Sequence, residues 1–496
     1  MNYISTRGKI KAENSVSSMF AIKTGLAEDG GLFVPESIPA LTSADVEKLC
    51  PLDYPHRAAE ILSMFLTDYD KSYLLESAEK AYAPEKFIGG AAPLTKLGDN
   101  SYVLELWHGP TCAFKDMALQ IMPRLLTGAL NGTKEDRCAF ILVATSGDTG
   151  KAALEGYKDI DKIKIMVYYP EDGVSRVQKL QMATQTGDNV NVCSIIGNFD
   201  DAQNGVKKIF SDREFAEKLN ANGYFLSSAN SINWGRLSPQ IVYYISAYCD
   251  LVKSGEIKNG DKINVTVPTG NFGNILAAYF AKLMGLPINK LICASNSNNV
   301  LTDFINTGVY DRNRKFFTTM SPSMDILISS NLERLLYLLT SSEETAGYMK
   351  ELSENGKYAV TADCLAKIKE SFEGYFCDEN MTAETIKTTF DGDGYLIDTH
   401  TAVAVKCAND YIKATGDNTK MVIASTASPY KFAADVLCSL GENRPEDDLM
   451  ALDLLSKRTS TKIPAPLADI EKREVRFKKV INKDDMITEV ANALGI

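Results

Sequence analysis

At 496 residues, 45% of them hydrophobic, the chain exceeds what one hydrophobic core usually supports, and about two or three domains are expected. A net charge of -11 with no compensating Lys/Arg block removes the broad attraction that nucleic acid or anionic lipid needs, so an anionic ligand must be caught by a local pocket. No stretch reaches the length of a membrane span, and the N-terminus lacks a continuous apolar segment. With ten scattered cysteines and no C-x-x-C pair, these features predict reduced thiols and a cytoplasmic location. The three histidines, His56, His108 and His400, lie too far apart for a zinc pattern, and no metal is expected.

The first 90 residues read as a mainly helical section, with amphipathic stretches SADVEKL and HRAAEILSMFL. Next comes a strand-like run, LELW, ending in His-Gly-Pro, with Lys115 just before a helix. From 139 to 230 β-branched runs alternate with helix-length stretches: AFILVA, KIKIMVYY (162–169) and NVNVCSII (189–196), the last followed by a helix around 204–218. This alternation predicts right-handed crossovers and a parallel sheet. A second run of the same kind starts at KINVTVP (262–268), continues through a helix ILAAYFAKLMG to KLICAS (290–295), and predicts a second parallel sheet. A largely helical, polar section is expected from about 312 to 390, ending at the turn DGDG, before strand character returns at MVIAST (421–426).

Three motifs carry chemistry. In HGPTCAFKDMALQ, Lys115 sits at a helix start, where the positive end of the dipole disfavours an ammonium unless its nitrogen is neutralised in an imine. The alternative is a solvated lysine beside Asp116. VPTGNFGN (267–274) places glycines and asparagines between strand and helix, where backbone N–H groups can hold a single phosphate; a purely structural glycine turn is the alternative. ATSGDTGKA (144–152) fails as a nucleotide loop because Thr145 and Ala152 stand where Gly and Ser/Thr are needed. Its amides at another helix start suit a carboxylate.

Taken in series, HGPT with AFKD, TSGDTG, SANSINWGRL (227–237), VPTGNFGN, SSNLERLL (329–336) and STASPYKFA (425–433) resemble the threonine synthase family in its longer form, across nearly the whole chain. The resemblance implies an α/β fold with two parallel-sheet domains of the tryptophan synthase β-subunit type plus the helical N-terminal section. It divides the chain into 1–90, a large cofactor-binding domain of 91–117 and 231–496 with a helical insertion near 312–390, and a small α/β domain of 118–230. It also implies pyridoxal 5'-phosphate as cofactor, with Lys115 as the Schiff-base lysine. Gly270, Asn271, Phe272, Gly273 and Asn274 would surround the cofactor phosphate. Thr426 would be the ring-nitrogen partner, a hydroxyl that leaves the pyridine nitrogen free of full protonation. Ser146, Gly147, Asp148 and Thr149 would hold the substrate carboxylate, and Ser231, Asn233 and Arg236, with Lys151 beside them, the substrate phosphate. His108 reads as a turn residue and His400 as structural.

The activity so implied converts O-phospho-L-homoserine and water to L-threonine and phosphate, in a monomer or homodimer, with Lys115 as the mobile base. Two rivals stand beside it: a phospho-lyase or dehydratase on the same scaffold that releases a 2-oxo acid, and a non-catalytic metabolite-binding relative.

Overall fold

A computed structural model describes residues 1–145, 147–172 and 174–496. Two sheets organise the chain. The larger runs, edge to edge, Phe372–Phe376, Ile288–Ser295, Ile263–Pro268, Lys420–Ser425, Ser101–Glu105 and Leu94–Leu97, all parallel except the antiparallel last strand. The smaller is fully parallel, in the order Val480–Asn482, Val190–Ile196, Ile163–Pro170, Cys138–Ala144 and Tyr224–Ser227.

Continuous β-branched runs form these strands because both faces are covered, as parallel sheets require. Leu291 and Cys293 join the core under the long helix Trp234–Lys253 and the helix Gly273–Met284, whereas Ile292 and Ala294 join the core on the opposite face. The smaller sheet repeats the pattern, with Ile141 and Val143 on one face and Phe140 and Leu142 on the other. Trp234–Lys253 is buried nearly all round, so its apolar residues do not form one stripe. The N-terminal section packs on it. Arg57, 3% exposed, donates to the carbonyls of Leu49 (3.0 Å) and Cys50 (2.8 Å), to Ser246 Oγ (2.8 Å) and to Asp250 Oδ1 (2.7 Å), tying the early helices to the central one.

The structure corrects the sequence reading in five places. The N-terminal section also carries a three-stranded antiparallel sheet of Asn2–Ser5, Val16–Ser17 and Phe33–Pro35. The helix expected around 204–218 is two, Phe199–Ser211 and Arg213–Ala221, broken at Asp212, whose side chain caps the second. Phe372–Phe376, expected as helix, is an edge strand beside Ile288–Ser295, its FEGYF aromatics packing where a long-range neighbour exists. The DGDG run is not a turn: the helix Glu379–Asp393 runs through it and stops only at Gly394, at φ +64°. Finally, the chain end does not stay with the larger sheet. Val480–Asn482 pairs with Ser194–Ile196, and the helix Met486–Leu494 packs over the smaller sheet.

Met486 anchors that return. It is 1% exposed, its carbonyl accepts from Tyr168 Oη at 2.8 Å, and its Sδ fills the space above Gly205, where an added Cβ would lie 2.3 Å away. Met486→Ala is expected to cost about 2–5 kcal/mol through the cavity it leaves, read as a lowered urea midpoint with an unchanged m-value.

Candidate functional site

The parallel strands of both sheets end in loops that meet in one cleft, the usual location of ligands in α/β folds. Ser101–Glu105 leads to the loop that carries Lys115. This loop is laced to the end of Lys420–Ser425: Phe114 N donates to Thr426 O (2.8 Å), Ser428 N donates to Cys112 O (3.0 Å), and Ala113 bridges Ala427. Lys115 then opens the short helix Lys115–Leu119. Its Nζ lies 3.4 Å from Ser323 Oγ and 3.6 Å from Asp148 Oδ2. Burial lowers the pKa of this ammonium; Asp148 opposes the shift, and Lys431 and Arg236 add to it. The solvated pair with Asp116 is not formed. Asp116 is fully buried, accepts from Thr111 N (2.8 Å) and Thr111 Oγ1 (2.7 Å), and is pushed by burial up to about 6.

The 270–274 turn stands against the same place. Phe272 takes a left-handed φ of +62°, and the helix Gly273–Met284 begins with no side-chain cap, leaving its first-turn N–H groups without intrahelical acceptors. Gly270 is needed for close approach: a Cβ there would lie 2.7 Å from Ser323 O. Ser323 therefore touches both the lysine and the turn, which places the two motifs on one surface. The turn is held from outside by Ser329 Oγ, which donates to Gly270 O (2.8 Å), and by Asn331, whose N and Nδ2 donate to Asn271 O (3.1 and 3.0 Å). Phe272 is buried against Phe372, and Asn274 Oδ1 accepts from Tyr243 Oη (2.7 Å) and Tyr244 Oη, while its buried Nδ2 has no partner among the described residues. The turn thus offers backbone N–H groups rather than side chains. Uncapped N–H groups, a close-approach glycine and a desolvated lysine amine fit a phosphorylated aldehyde such as pyridoxal phosphate. Thr426 is buried at the cleft, and its hydroxyl makes no hydrogen bond among the described residues.

The loop after Cys138–Ala144 closes the other side. Ser146 lies outside the described residues. Gly147 is at φ +138°, and Thr145 Oγ1 accepts from Gly147 N (3.0 Å) and Gly150 N (2.9 Å). Asp148 and Thr149 open the helix Asp148–Tyr157, which also lacks a side-chain cap. Within the loop expected at the substrate carboxylate, the side chain of Asp148 is a counter-ion. It lies 2.7 Å from Lys431 Nζ and accepts from Gln178 Nε2 at 2.9 Å. Burial alone would raise its pKa, but the charges of Lys431 and Lys115 hold it well below the ordinary carboxylate range. The backbone amides at the start of this uncapped helix remain for a second anion. Lys431 escaped the sequence reading. Its side chain is fully buried and also donates to Thr111 O (3.1 Å); the available signal was a lysine inside the apolar run ASPYKFAADVL.

Among the residues expected at a substrate phosphate, Arg236 stands out. It is 3% exposed, donates through Nη1 to Ala229 O (2.6 Å), leaves Nε without a partner among the described residues, and is lowered to about 10 by burial. Asn233 is a correction: its Oδ1 caps Trp234–Lys253 through Gly235 N (2.8 Å) and its Nδ2 donates to Ile22 O (2.9 Å), so both ends of the amide are occupied. The carbonyl of Ser231 accepts from Asn331 Nδ2 (3.3 Å), the side chain that also holds the 270–274 turn. Lys151 is held by Glu155 (3.0 Å) and Gln185. His108 bonds Ile88 O (2.9 Å) and Glu105 Oε2 (2.6 Å), fixing a turn as expected. Lys115, Lys431 and Arg236 bring three basic side chains and the carboxylate of Asp148 into one cleft of an acidic chain.

Asp148→Asn should leave Lys431 buried without its counter-charge and cost about 3–5 kcal/mol at neutral pH. Because the folded pKa of Asp148 is depressed, its contribution is fully present above its unfolded value near 3.9 and is lost as pH falls below that. Urea denaturation of the cofactor-free protein from pH 7 to 3 should therefore show the gap between wild type and variant narrowing toward acid.

Comparison with known proteins agrees with this geometry. The family model "Threonine synthase N terminus" matches residues 2–82, "Pyridoxal-phosphate dependent enzyme" matches 89–426, and "Threonine synthase, C-terminal" matches 401–491. The chain is 42% identical over 445 residues to human threonine synthase-like 1, a match covering 86% of this chain and 59% of that protein's length. It is 38% identical over 489 residues to the threonine synthase of Pseudomonas aeruginosa, covering 97% of this chain and 96% of the relative. The structure of pyridoxal-phosphate-bound threonine synthase from Brucella melitensis superposes with a TM-score of 0.89 at 36% identity, covering 100% of both chains. With its N-terminal, catalytic-fold and C-terminal segments all matched, and its lysine, uncapped turn and basic side chains gathered at the strand ends, the chain belongs to the threonine synthase family of pyridoxal-phosphate dependent enzymes.

Proposed function

We propose that this chain converts O-phospho-L-homoserine and water to L-threonine and phosphate, the last step of threonine biosynthesis. One observation carries the reading: Ser323 touches both Lys115 and Gly270, while Arg236, buried without a carboxylate, also acts on Lys115. Pyridoxal phosphate, when bound, supplies an electron sink for negative charge developing on the substrate carbons. Lys115 Nζ anchors its aldehyde, the first-turn amides at 273–275 and the 270–272 backbone hold its phosphate, and the Thr426 hydroxyl serves its ring nitrogen.

The remaining work falls to side chains of this cleft. Lys115, whose ammonium is destabilised by burial, is the group placed to take the proton from the substrate's Cα. A second proton leaves Cβ and the C–O bond at Cγ breaks with phosphate as leaving group; Cγ then gains one proton to end as a methyl, water adds its hydroxyl to Cβ, and Cα regains a proton. Arg236 gives the departing phosphate a fixed positive charge in a desolvated site. The amides of Asp148 and Thr149 suit the substrate carboxylate. Lys431 neutralises Asp148, so that the site stays attractive to an anion. No helix among the described residues is long and apolar enough to cross a membrane, and ten free cysteines, most of them buried, suit the reducing cytoplasm in which we place the protein.

The rival reading on the same scaffold is a phospho-lyase that releases a 2-oxo acid. Product analysis with O-phosphohomoserine separates the two: threonine with stoichiometric phosphate supports the first, and a 2-oxo acid replaces it with the second. Lys115→Ala should abolish turnover and the visible absorption of the cofactor-loaded protein while leaving the fold intact; a variant that keeps that band overturns the cofactor assignment. Arg236→Met should raise KM for O-phosphohomoserine by about 10–100-fold, the value of a charge-assisted hydrogen bond. The apo protein of this variant should be no less stable, since an uncompensated buried charge is removed.

A further inference from the structure

We propose that His400 is a positioning residue for the cofactor lysine, acting through the backbone of Ser323; the proposal rests on the cofactor reading given above. His400 is 2% exposed and sits in the first turn of the helix Thr399–Thr415, packed on the opposite face of the larger sheet from Trp234–Lys253. Its Nε2 accepts the N–H of Ser323 at 3.1 Å. A nitrogen that accepts carries no proton, so the ring proton is on Nδ1, which donates to Asp398 Oδ2 at 2.8 Å. Both nitrogens are thereby occupied, which rules out proton transfer by this ring and leaves it an orienting role.

Asp398 fixes the ring in turn. It is fully buried, caps its helix through His400 N (2.9 Å) and Thr401 N (3.0 Å), and accepts from Thr401 Oγ1. A side chain pinned as a helix cap by this many donors keeps its oxygen on the Nδ1–H of His400. At the other end, Ser323 lies within the single turn Pro322–Met324, whose early N–H groups have no acceptor inside the turn. His400 supplies that acceptor from a separate element. Ser323 then presents Oγ to Lys115 Nζ at 3.4 Å and its carbonyl to the space above Gly270. The same cap reaches the other wall of the cleft, because Thr401 Oγ1 and Trp107 Nε1 both bond Ser425 Oγ at 3.0 Å, one residue before Thr426.

The test uses the full-length protein stripped of cofactor and titrated with pyridoxal phosphate, read by visible absorption. His400→Leu removes the acceptor and should weaken binding by about 5–100-fold, the range for a buried N–H left unpaired. It should also lower kcat with little change in KM for O-phosphohomoserine. His400→Gln keeps an acceptor and should recover most of both losses. Wild-type cofactor affinity and kcat in the leucine variant overturn the proposal. So do equal losses in the glutamine and leucine variants that track apo-protein melting, since that pattern marks a purely structural residue. Should the leucine variant not fold, Ser323→Pro against Ser323→Ala makes the test from the donor side, as the proline alone lacks the N–H. Weaker binding by the proline variant supports the proposal, and equal binding overturns it. Lys115→Ala runs in parallel. A band that survives it overturns the cofactor reading itself, whereas a band lost with Lys115 but indifferent to His400 overturns only the positioning role.

Discussion

One buried carboxylate holds the cleft together. Asp148 opens a helix of the smaller sheet, yet its two nearest cations, Lys431 and Lys115, belong to loops of the larger one. Burying a lysine without a counter-charge costs several kcal/mol, and burying two within reach of each other costs more. Asp148 makes both tolerable, and in doing so it spans the two sheets. Arg236 adds a third basic group that has no ion pair with a carboxylate among the described residues.

Around this charge cluster the backbone presents unused donors. The helices at 148 and 273 both start without side-chain caps, so their free amides face the cleft instead of a Ser or Asp of the chain. In the turn at 273, Phe272 points into the core and Asn274 to Tyr243 and Tyr244. The segment from 321 to 334 buttresses the arrangement from behind. Arg334, fully buried, donates to Phe33 O (3.0 Å) and to Ile232 O, and so joins the N-terminal section, the start of the long helix and the strap that holds Asn271. The N-terminal 90 residues therefore contribute to the site through packing and not through contact with it.

Much of the core and two of the three chemical motifs were legible in the sequence. Runs such as INVTVP and IKIMVYYP have few polar interruptions because both faces of a parallel strand are buried, and that signal is local. Lys115 and the 270–274 turn were legible because each sits at a strand-to-helix junction with glycine or proline beside it. The strand Phe372–Phe376 was missed because FEGYF is amphipathic enough for either state and only the neighbouring Ile288–Ser295 decides between them. Asn233 was misassigned for a related reason: an asparagine just before a helix serves equally well as a cap or as a ligand, and the choice lies in where Ile22 and Gly235 stand.

By itself the sequence determined the class of the fold, since periodicity is carried by consecutive residues, and it singled out Lys115 and the 270–274 turn as candidates whose roles came from the family resemblance. The tertiary structure alone decided that Asp148 is a counter-ion, that Lys431 is its partner, that His400 reaches Ser323, and that Val480–Asn482 returns to the smaller sheet. Each of these is a pairing between distant segments. A charge or a ring nitrogen acquires its role from what faces it across a buried gap, and no local pattern records that partner.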